Sequence, residues 1–245
     1  EFVAATLSGA ISLDDAIRLV AIRALAIEKL PRGSMIAVPL GSRDIAPYLD
    51  EGIALSASNS ETFCILAGTE QQIEQTRLAL ASDKVLAQRL PVEHAYHSEL
   101  LRDAAAELDA AARFVRVRAP SIPYISNVTG KWITYEQLND PGYWGQHLCS
   151  TVQFAAGMRT LLETTRVSLL IEVGYGQTLS GYAQTLLQPG ASNVRIVSTD
   201  PQAGSVPLPT LQPAGMLGRL WASGATVDWK RVLGSGNVRR ISLAG

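Results

Sequence analysis

Residues 34–90 of the sequence read SMIAVPLGSRDIAPYLDEGIALSASNSETFCILAGTEQQIEQTRLALASDKVLAQRL. Short apolar runs bounded by turn residues alternate here with two segments of helical character. Strands are predicted at 35–40, 53–58, 62–67 and 84–90, and helices at 42–49 and 69–81. The turn Asn59-Ser60-Glu61 joins the two middle strands as a hairpin. This β-α-β-β-α-β order is that of a ferredoxin-like unit, which predicts a small subdomain over 34–90 inserted into a larger one.

The segments on either side of this unit predict a larger α/β part. Ser12 and Asp15 form a capping-box-like start for a first helix, and Pro31-Arg32-Gly33 ends it. Further helices are predicted at 99–114, from about 177 and at 213–223, with strands at 122–126, 168–173 and 194–198. Strands that alternate with helices indicate a parallel sheet covered by helices. The prediction is a large subdomain over 1–33 and 91–200, followed by a linker over 201–245.

The bulk composition is that of a globular protein and excludes several classes. The 245 residues are 47% hydrophobic and 18% charged, with a net charge of -1. The scattered basic residues argue against nucleic acid as a main partner, because phosphate neutralisation needs clustered Lys and Arg. No apolar run approaches the roughly 18 residues that span a bilayer, and the first residues lack signal-peptide features. Cys64 and Cys149 have no metal-ligand spacing, so buried thiols in a reducing cytoplasm are expected.

Arg23 is the first candidate functional residue. It lies on the mostly apolar face that Leu19, Val20 and Ile27 give the first helix. A guanidinium on such a face is costly unless an anion meets it. Two interpretations are open: a structural ion pair with an acidic residue elsewhere, or a fork that binds a substrate carboxylate through two hydrogen bonds.

The second candidate is a pair of histidines in the run Glu93-His94-Ala95-Tyr96-His97-Ser98, on a predicted loop between a strand and a helix. His97 directly precedes the helix, whose positive end disfavours a second proton and keeps the imidazole competent as a base. The alternative is two polar loop histidines. A metal site is disfavoured because no further ligand stands at the required spacing. His147 is interpreted as structural, and Gly174-Tyr175-Gly176 as a tight strand-to-helix turn.

Taken in order, the motifs of the chain resemble the acyltransferase domain of modular polyketide synthases. Glu1-Phe2-Val3-Ala4-Ala5 is similar to the stretch after the family's Gly-His-Ser-x-Gly nucleophile motif, and Ala21-Ile22-Arg23 to the segment with its carboxylate-binding arginine. His94-Ala95-Tyr96-His97-Ser98 resembles the family's His-Ala-Phe-His-Ser motif. Other similar segments are Asn59-Ser60, Ala67-Gly68, Ile125-Ser126-Asn127-Val128-Thr129-Gly130, Glu172-Val173-Gly174, Val227-Asp228-Trp229 and the linker-like Arg239-Arg240-Ile241-Ser242-Leu243.

The resemblance implies a fold and an activity. The fold is an α/β-hydrolase-like large subdomain, here without its N-terminal part, with an inserted ferredoxin-like small subdomain. The activity is transfer of a malonyl-type unit from coenzyme A to the phosphopantetheine thiol of an acyl carrier protein through an acyl-serine. His97 is then the catalytic base, Arg23 binds the malonyl carboxylate, and His94 and Tyr96 line the substrate pocket. The serine itself is not in this sequence, because none of its serines lies in a nucleophile elbow.

The resemblance also implies partners and leaves alternatives open. The partners are acyl carrier protein, neighbouring synthase domains and malonyl- or methylmalonyl-coenzyme A, in the cytoplasm, with no metal, cofactor, nucleic acid or membrane. Tyr96 replaces the family's usual phenylalanine, and Tyr175 stands where proline is frequent. The His-Ala-aromatic-His pattern favours malonyl. The other functions still open are a stand-alone malonyl transferase of fatty-acid synthesis and a non-catalytic docking fragment of a synthase.

Overall fold

A computed structural model describes residues 1–174, 176–187, 194–199 and 212–233, and the chain forms two compact units, Glu1–Arg166 and Val167–Gly245. The helices of the first unit are α1 Phe2–Leu7, α2 Leu13–Glu28, α3 Glu70–Ser82, α4 Arg102–Ala112, α5 Tyr135–Asn139, α6 Tyr143–Cys149 and α7 Phe154–Thr164. Its strands are β1 Ser34–Val38, β2 Ala54–Ser60, β3 Phe63–Gly68 and β4 Gln88–Arg89. Within the described ranges, no helix has the length and apolarity that crossing a bilayer requires.

The strand order of the first unit confirms the predicted ferredoxin-like arrangement. The four strands form one sheet in the order β2-β3-β1-β4, and every neighbouring pair is antiparallel. Ser34 opposite Gly68 and Val38 opposite Cys64 define the register of the central pair. The helix α3 begins at a capping box in which Thr69 and Gln72 bond to each other's backbone. The bounds predicted for the large subdomain and the linker remain a prediction.

The prediction of a helix at 42–49 is wrong. The structure has only a 3-10 turn there, Ala46–Tyr48. Pro47 lies inside the predicted segment, lacks the N–H that an α-helix needs and disfavours helical geometry in the residue before it. Proline therefore limits this connection to a single turn.

The prediction of a strand at 122–126 is also wrong. Only one isolated antiparallel bridge forms there, between Ile125 and Trp132. Pro123 has no N–H to give to a strand ladder, so the segment is not extended into a sheet. The short helices α5 and α6 were not predicted, because five to seven residues show too little periodicity, and the eleven-residue α7 was missed as well.

The second unit contains β5 Leu169–Glu172, α8 Thr178–Leu186, β6 Arg195–Ser198, α9 Gln212–Ala222 and α10 Trp229–Leu233. The two strands pair in parallel, as predicted. The carboxylate of Glu172, at the end of β5, accepts the backbone N–H groups of Leu179 (3.1 Å) and Ser180 (2.8 Å) and so caps α8. The predicted linker contains α9 and α10, while 200–211 and 234–245 lie outside the described residues, as does Tyr175.

The two faces of the antiparallel sheet are buried against different partners, because side chains alternate along a strand. One face packs on α3 through Ile36, Val38, Leu66, Ile73 and Leu80. The other packs on the segment after β4 through Met35, Ala37, Ile65, Ala67 and Ala95. Tyr96 contacts this second cluster and also the core formed by α1, α2, α4 and α6. The loop that carries both predicted histidines is therefore fixed between two cores.

The helices α1 and α2 share an exposed apolar surface. Its residues recur at helical spacing on each helix and are Val3, Leu7, Leu13, Ile17 and Val20. They border a groove of about 490 Å³. Single exposed apolar residues are ordinary, whereas a contiguous stripe across two helices is typical of an interaction surface. We call these five residues the apolar stripe.

Candidate active site

The loop between β4 and α4 presents His97 in an unusual backbone conformation. His97 has φ 58°, one of two positive values among the described non-glycine residues. The following residue fixes the turn, since the Ser98 hydroxyl donates to the Ala95 carbonyl (2.6 Å) and accepts from the Leu100 N–H (3.3 Å). Left-handed backbone is uncommon outside glycine and is held in place by its surroundings, frequently at functional sites.

Two backbone carbonyls fix the imidazole ring of His97. Its Nδ1 lies 3.1 Å from the carbonyl oxygen of His147 and 3.2 Å from that of Ser150. Both oxygens belong to the C-terminal turn of α6, where the last carbonyls have no intrahelical donor. A carbonyl can only accept, so Nδ1 carries the proton and donates it to them. Nε2 is therefore the basic nitrogen, and it has no hydrogen-bond partner within the described ranges.

The surroundings of His97 keep it neutral. Its pKa is lowered, first because burial penalises the imidazolium and second because the positive charge of Arg23 repels it. The bonds to the two carbonyls act in the opposite direction and are weaker than burial. The sequence attributed a neutral imidazole to the helix start, whereas the main cause of the lowered pKa is desolvation. At pH 7 the ring is ready to accept a proton.

Arg23 points into the same region as a half-buried cation. Burial lowers its pKa, with the Tyr96 phenol acting in the opposite direction, and a guanidinium remains charged at pH 7 even so. Among the described residues, no carboxylate pairs with it. The structural ion pair considered from the sequence is therefore not observed there. A half-buried, unpaired guanidinium is suited to binding an anion.

His94 and Tyr96 complete the cluster of predicted site residues. Their rings meet edge to face with centroids 6.3 Å apart. His94 is buried, and its Nδ1 has no hydrogen-bond partner in the part of the chain that the structure describes. Tyr96 acts on the pKa of Arg23, and the charge of Arg23 acts on that of His97, so the four residues form one neighbourhood. The same described residues hold no group of three His, Cys, Asp or Glu suited to a metal ion.

His147 has a larger part in the site than its sequence context indicated. Its carbonyl holds His97, and its ring packs against those of Phe2, Trp144 and His97 at centroid distances of 6.4, 6.1 and 5.7 Å. Burial lowers its pKa to about 3. The sequence carried no signal for the carbonyl contacts of His147 and Ser150, since every residue has a carbonyl and only the fold selects two of them.

The fold and site together define a class: an α/β protein with an antiparallel subdomain, in which a buried histidine lies near an arginine that pairs with no carboxylate among the described residues. A model of the acyl transferase domain family matches residues 1–204. One component of the phenolphthiocerol/phthiocerol polyketide synthase of Mycobacterium tuberculosis is 32% identical over 231 residues, which is 94% of this chain and 15% of that protein. NorB, of the spectinabilin polyketide synthase system of Streptomyces orinoci, is 31% identical over 249 residues, covering 99% of this chain and 11% of that protein.

Solved structures of acyl transferase domains share the fold. The domain of ZmaA superimposes with a TM-score of 0.86 and 31% identity, covering 99% of this chain and 56% of that one. The domain of SpnD, solved in complex with 2-(pent-4-yn-1-yl)malonyl, gives a TM-score of 0.84 and 34% identity, covering 90% and 53%. The chain thus spans about half the length of these structures. It belongs to the acyl transferase domain family and is homologous to the acyltransferase domains of modular polyketide synthases.

The buried histidines predict how stability depends on pH. An unfolded histidine takes up a proton near pH 6.5, whereas His97 and His147 resist protonation in the folded state, so stability falls as the pH falls below about 6.5. For His147 the loss between pH 6.5 and 5 is roughly 1–2 kcal/mol. Urea unfolding at the two pH values measures it. The variant His147→Phe, which keeps an aromatic ring, should lose less stability than the parent over this interval; an equal loss would contradict a neutral His147.

Proposed function

We propose that this chain transfers a malonyl-type acyl unit from coenzyme A to the phosphopantetheine thiol of an acyl carrier protein, through an acyl-serine. The observation that supports this proposal most directly is the way in which the His97 ring is held. Two carbonyls hold its Nδ1–H, its Nε2 is without a partner in the described ranges, and Arg23 lies nearby without a carboxylate. This pairs a proton acceptor with a receptor for the free carboxylate of a dicarboxylic acyl group.

In the first half of the proposed reaction, His97 Nε2 takes the proton of the serine hydroxyl while the serine oxygen attacks the thioester carbonyl. The tetrahedral intermediate then expels the coenzyme A sulfur, which receives that proton from His97. During the step the ring is an imidazolium, and the carbonyls of His147 and Ser150 accept from its Nδ1–H and stabilise it. Arg23 meanwhile binds the distal carboxylate of the acyl group and fixes its orientation.

In the second half, the carrier thiol gives its proton to His97 Nε2 and attacks the serine ester. The serine leaves with the proton that His97 returns, and the acyl group remains on the carrier as a thioester. In both halves, every proton and the acyl group pass only between the serine, His97, and the thiols of coenzyme A and of the carrier. The proposal therefore requires no metal or bound cofactor, and its partners are the carrier protein and the neighbouring synthase domains.

The serine is proposed to lie on a segment outside this chain, just before Glu1. The solved neighbours are longer than this chain, which covers 53% of the SpnD domain and 56% of the ZmaA domain. The apolar stripe on α1 and α2 offers a surface of the kind that the remaining part of such a domain would bury. Part of the stripe lies on α2, the helix that also carries Arg23, so we propose that the covering segment approaches the acyl site as well.

Replacing His97 with Ala in a domain that includes the serine should reduce acyl-serine formation by about 10²- to 10⁴-fold, the usual contribution of general acid–base catalysis. Mass spectrometry of the domain after brief exposure to malonyl-coenzyme A measures the acylated fraction. His94→Ala serves as the comparison, because it removes a ring of the same loop and should reduce loading less. Near-normal loading by a folded His97→Ala variant would show that another group is the base.

Arg23→Ala should reduce malonyl transfer and leave acetyl transfer equal or faster, because acetyl has no carboxylate to bind. A charge-assisted bidentate contact corresponds to roughly 2–4 kcal/mol, or about 30- to 1,000-fold in the malonyl-to-acetyl ratio of kcat/KM. Arg18→Ala is the matched control, since Arg18 is exposed on the same helix. If malonyl and acetyl transfer fell by the same factor, Arg23 would be a structural residue.

The ring of Tyr96 is proposed to select malonyl over methylmalonyl, because a bulky aromatic near the acyl α-carbon crowds a methyl branch. One methyl group changes selectivity by about 10- to 200-fold. Competition between malonyl- and methylmalonyl-coenzyme A, measured as the ratio of kcat/KM values, should favour malonyl. Tyr96→Ser should shift the ratio towards methylmalonyl, and Tyr96→Phe should leave it unchanged. A parent domain that prefers methylmalonyl would place the ring away from the α-carbon.

A further inference from the structure

A buried carboxylate lies beside the helix whose other end holds His97. The side chain of Glu1 is 1% exposed. Its Oε2 accepts the Asn127 N–H (2.8 Å), and its Oε1 accepts the Tyr143 hydroxyl. Burial raises its pKa. Its neighbour His147, with Nε2 3.5 Å from Oε2, is neutral at pH 7 and too far for an ordinary hydrogen bond.

The buried carboxylate of Glu1 lowers the stability of the fold, so stability does not explain its presence. A buried carboxylate without a cationic side chain is less favourable than an apolar residue of similar size, even when hydrogen bonds satisfy its oxygens. Within the described residues, no Lys or Arg pairs with Glu1. The carboxylate does, however, fix the groups that donate to it, because hydrogen bonds to its oxygens are directional.

The hydrogen bonds that lead to Glu1 through Tyr143 form a series in which every group donates in the same direction, towards Glu1. Tyr143 gives its proton to Glu1, so the Ser126 hydroxyl, 2.7 Å from the Tyr143 oxygen, must donate to Tyr143. Ser126 in turn accepts the Val128 N–H at 3.1 Å. Burial is the main cause that raises the pKa of Tyr143, and the Glu1 charge adds to it, so the phenol stays protonated. Each link strengthens the next, which rigidifies the position of Tyr143.

Tyr143 is the first residue of α6, and the two carbonyls that hold His97 are at the end of the same helix. A seven-residue helix is about 10 Å long and moves as one body. Next to Tyr143, Trp144 stacks on Phe2 with ring centroids 4.1 Å apart, so the start of α6 is bound to both Glu1 and Phe2. The Nδ1-to-oxygen distances of 3.1 and 3.2 Å leave little margin before a bond is lost.

We propose that Glu1 and Tyr143 are positioning residues for the base. Their buried hydrogen bond sets the place of α6, so that the carbonyls of His147 and Ser150 both accept from His97 and hold it as the Nδ1–H tautomer. This inference rests on the proposed function for its kinetic consequence. Its structural consequence, a single His97 tautomer that depends on Tyr143, is independent of the reaction.

The test compares two tyrosines in the domain that includes the serine. Tyr143→Phe removes the hydroxyl and keeps the ring, and kcat for malonyl loading should fall by about 10- to 100-fold with KM unchanged within about twofold, the pattern of a misplaced group. Side-chain ¹⁵N NMR of His97 should change from one Nδ1–H form to a mixture of tautomers. Tyr124→Phe is the matched control, because its buried hydroxyl has no partner among the described residues and its removal should change neither readout.

Two further variants keep the test decisive. If Tyr143→Phe does not fold, Glu1→Leu removes the acceptor while keeping a side chain of similar volume, and it should show the same loss of kcat and the same tautomer mixture. Glu1→Gln should recover most of kcat, because its amide oxygen still accepts from Tyr143. A single Nδ1–H tautomer with normal kcat in Tyr143→Phe or Glu1→Leu would overturn the proposal. Absence of malonyl loading in the parent would instead reject the proposed function and leave the tautomer result to decide this inference.

Discussion

The pair of hydrogen bonds from His97 Nδ1 to the carbonyls of His147 and Ser150 is the interaction on which the site depends. In serine hydrolases with a catalytic triad, a carboxylate performs this orienting function. A neutral carbonyl fixes the tautomer equally well but stabilises the imidazolium less. The carbonyl bonds raise the pKa of His97, whereas burial, which is the larger effect, and the charge of Arg23 lower it. The result is a ring that is unprotonated at pH 7 because it is enclosed and lies near a cation.

The architecture supplies these contacts from separate parts of the chain. The antiparallel sheet buries one face on α3 and presents the other to the segment with Ala95, which fixes the loop of His97. The helical core places Arg23 on α2 and the carbonyls on α6. Tyr96 packs against both clusters. A shift of either core would change the distances between base, cation and carbonyls, so the geometry of the site depends on the packing of both.

Sequence reasoning singled out residues whose side-chain chemistry conflicts with their setting. Arg23 on an apolar helix face and His97 next to a second histidine drew attention because such residues are costly or rare there, and the resemblance to the family turned them into specific predictions. The helix predicted at 42–49 failed because Pro47 outweighs the apolar pattern around it. The contacts of Glu1 could not be predicted, since its partners Asn127 and Tyr143 are more than 120 residues away and only the folded chain brings them together.

The central claim is that His97 Nε2 is the nitrogen that accepts the proton of a serine hydroxyl. The most direct measurement is the distance from this nitrogen to the nearest serine Oγ in a crystal structure of the domain that includes the segment before Glu1. We expect a hydrogen-bond distance of about 2.6–3.2 Å, with Nδ1 still bound to the carbonyls of His147 and Ser150. A ring turned so that Nε2 faces those carbonyls, or an Nε2 with no serine hydroxyl in reach, would contradict it.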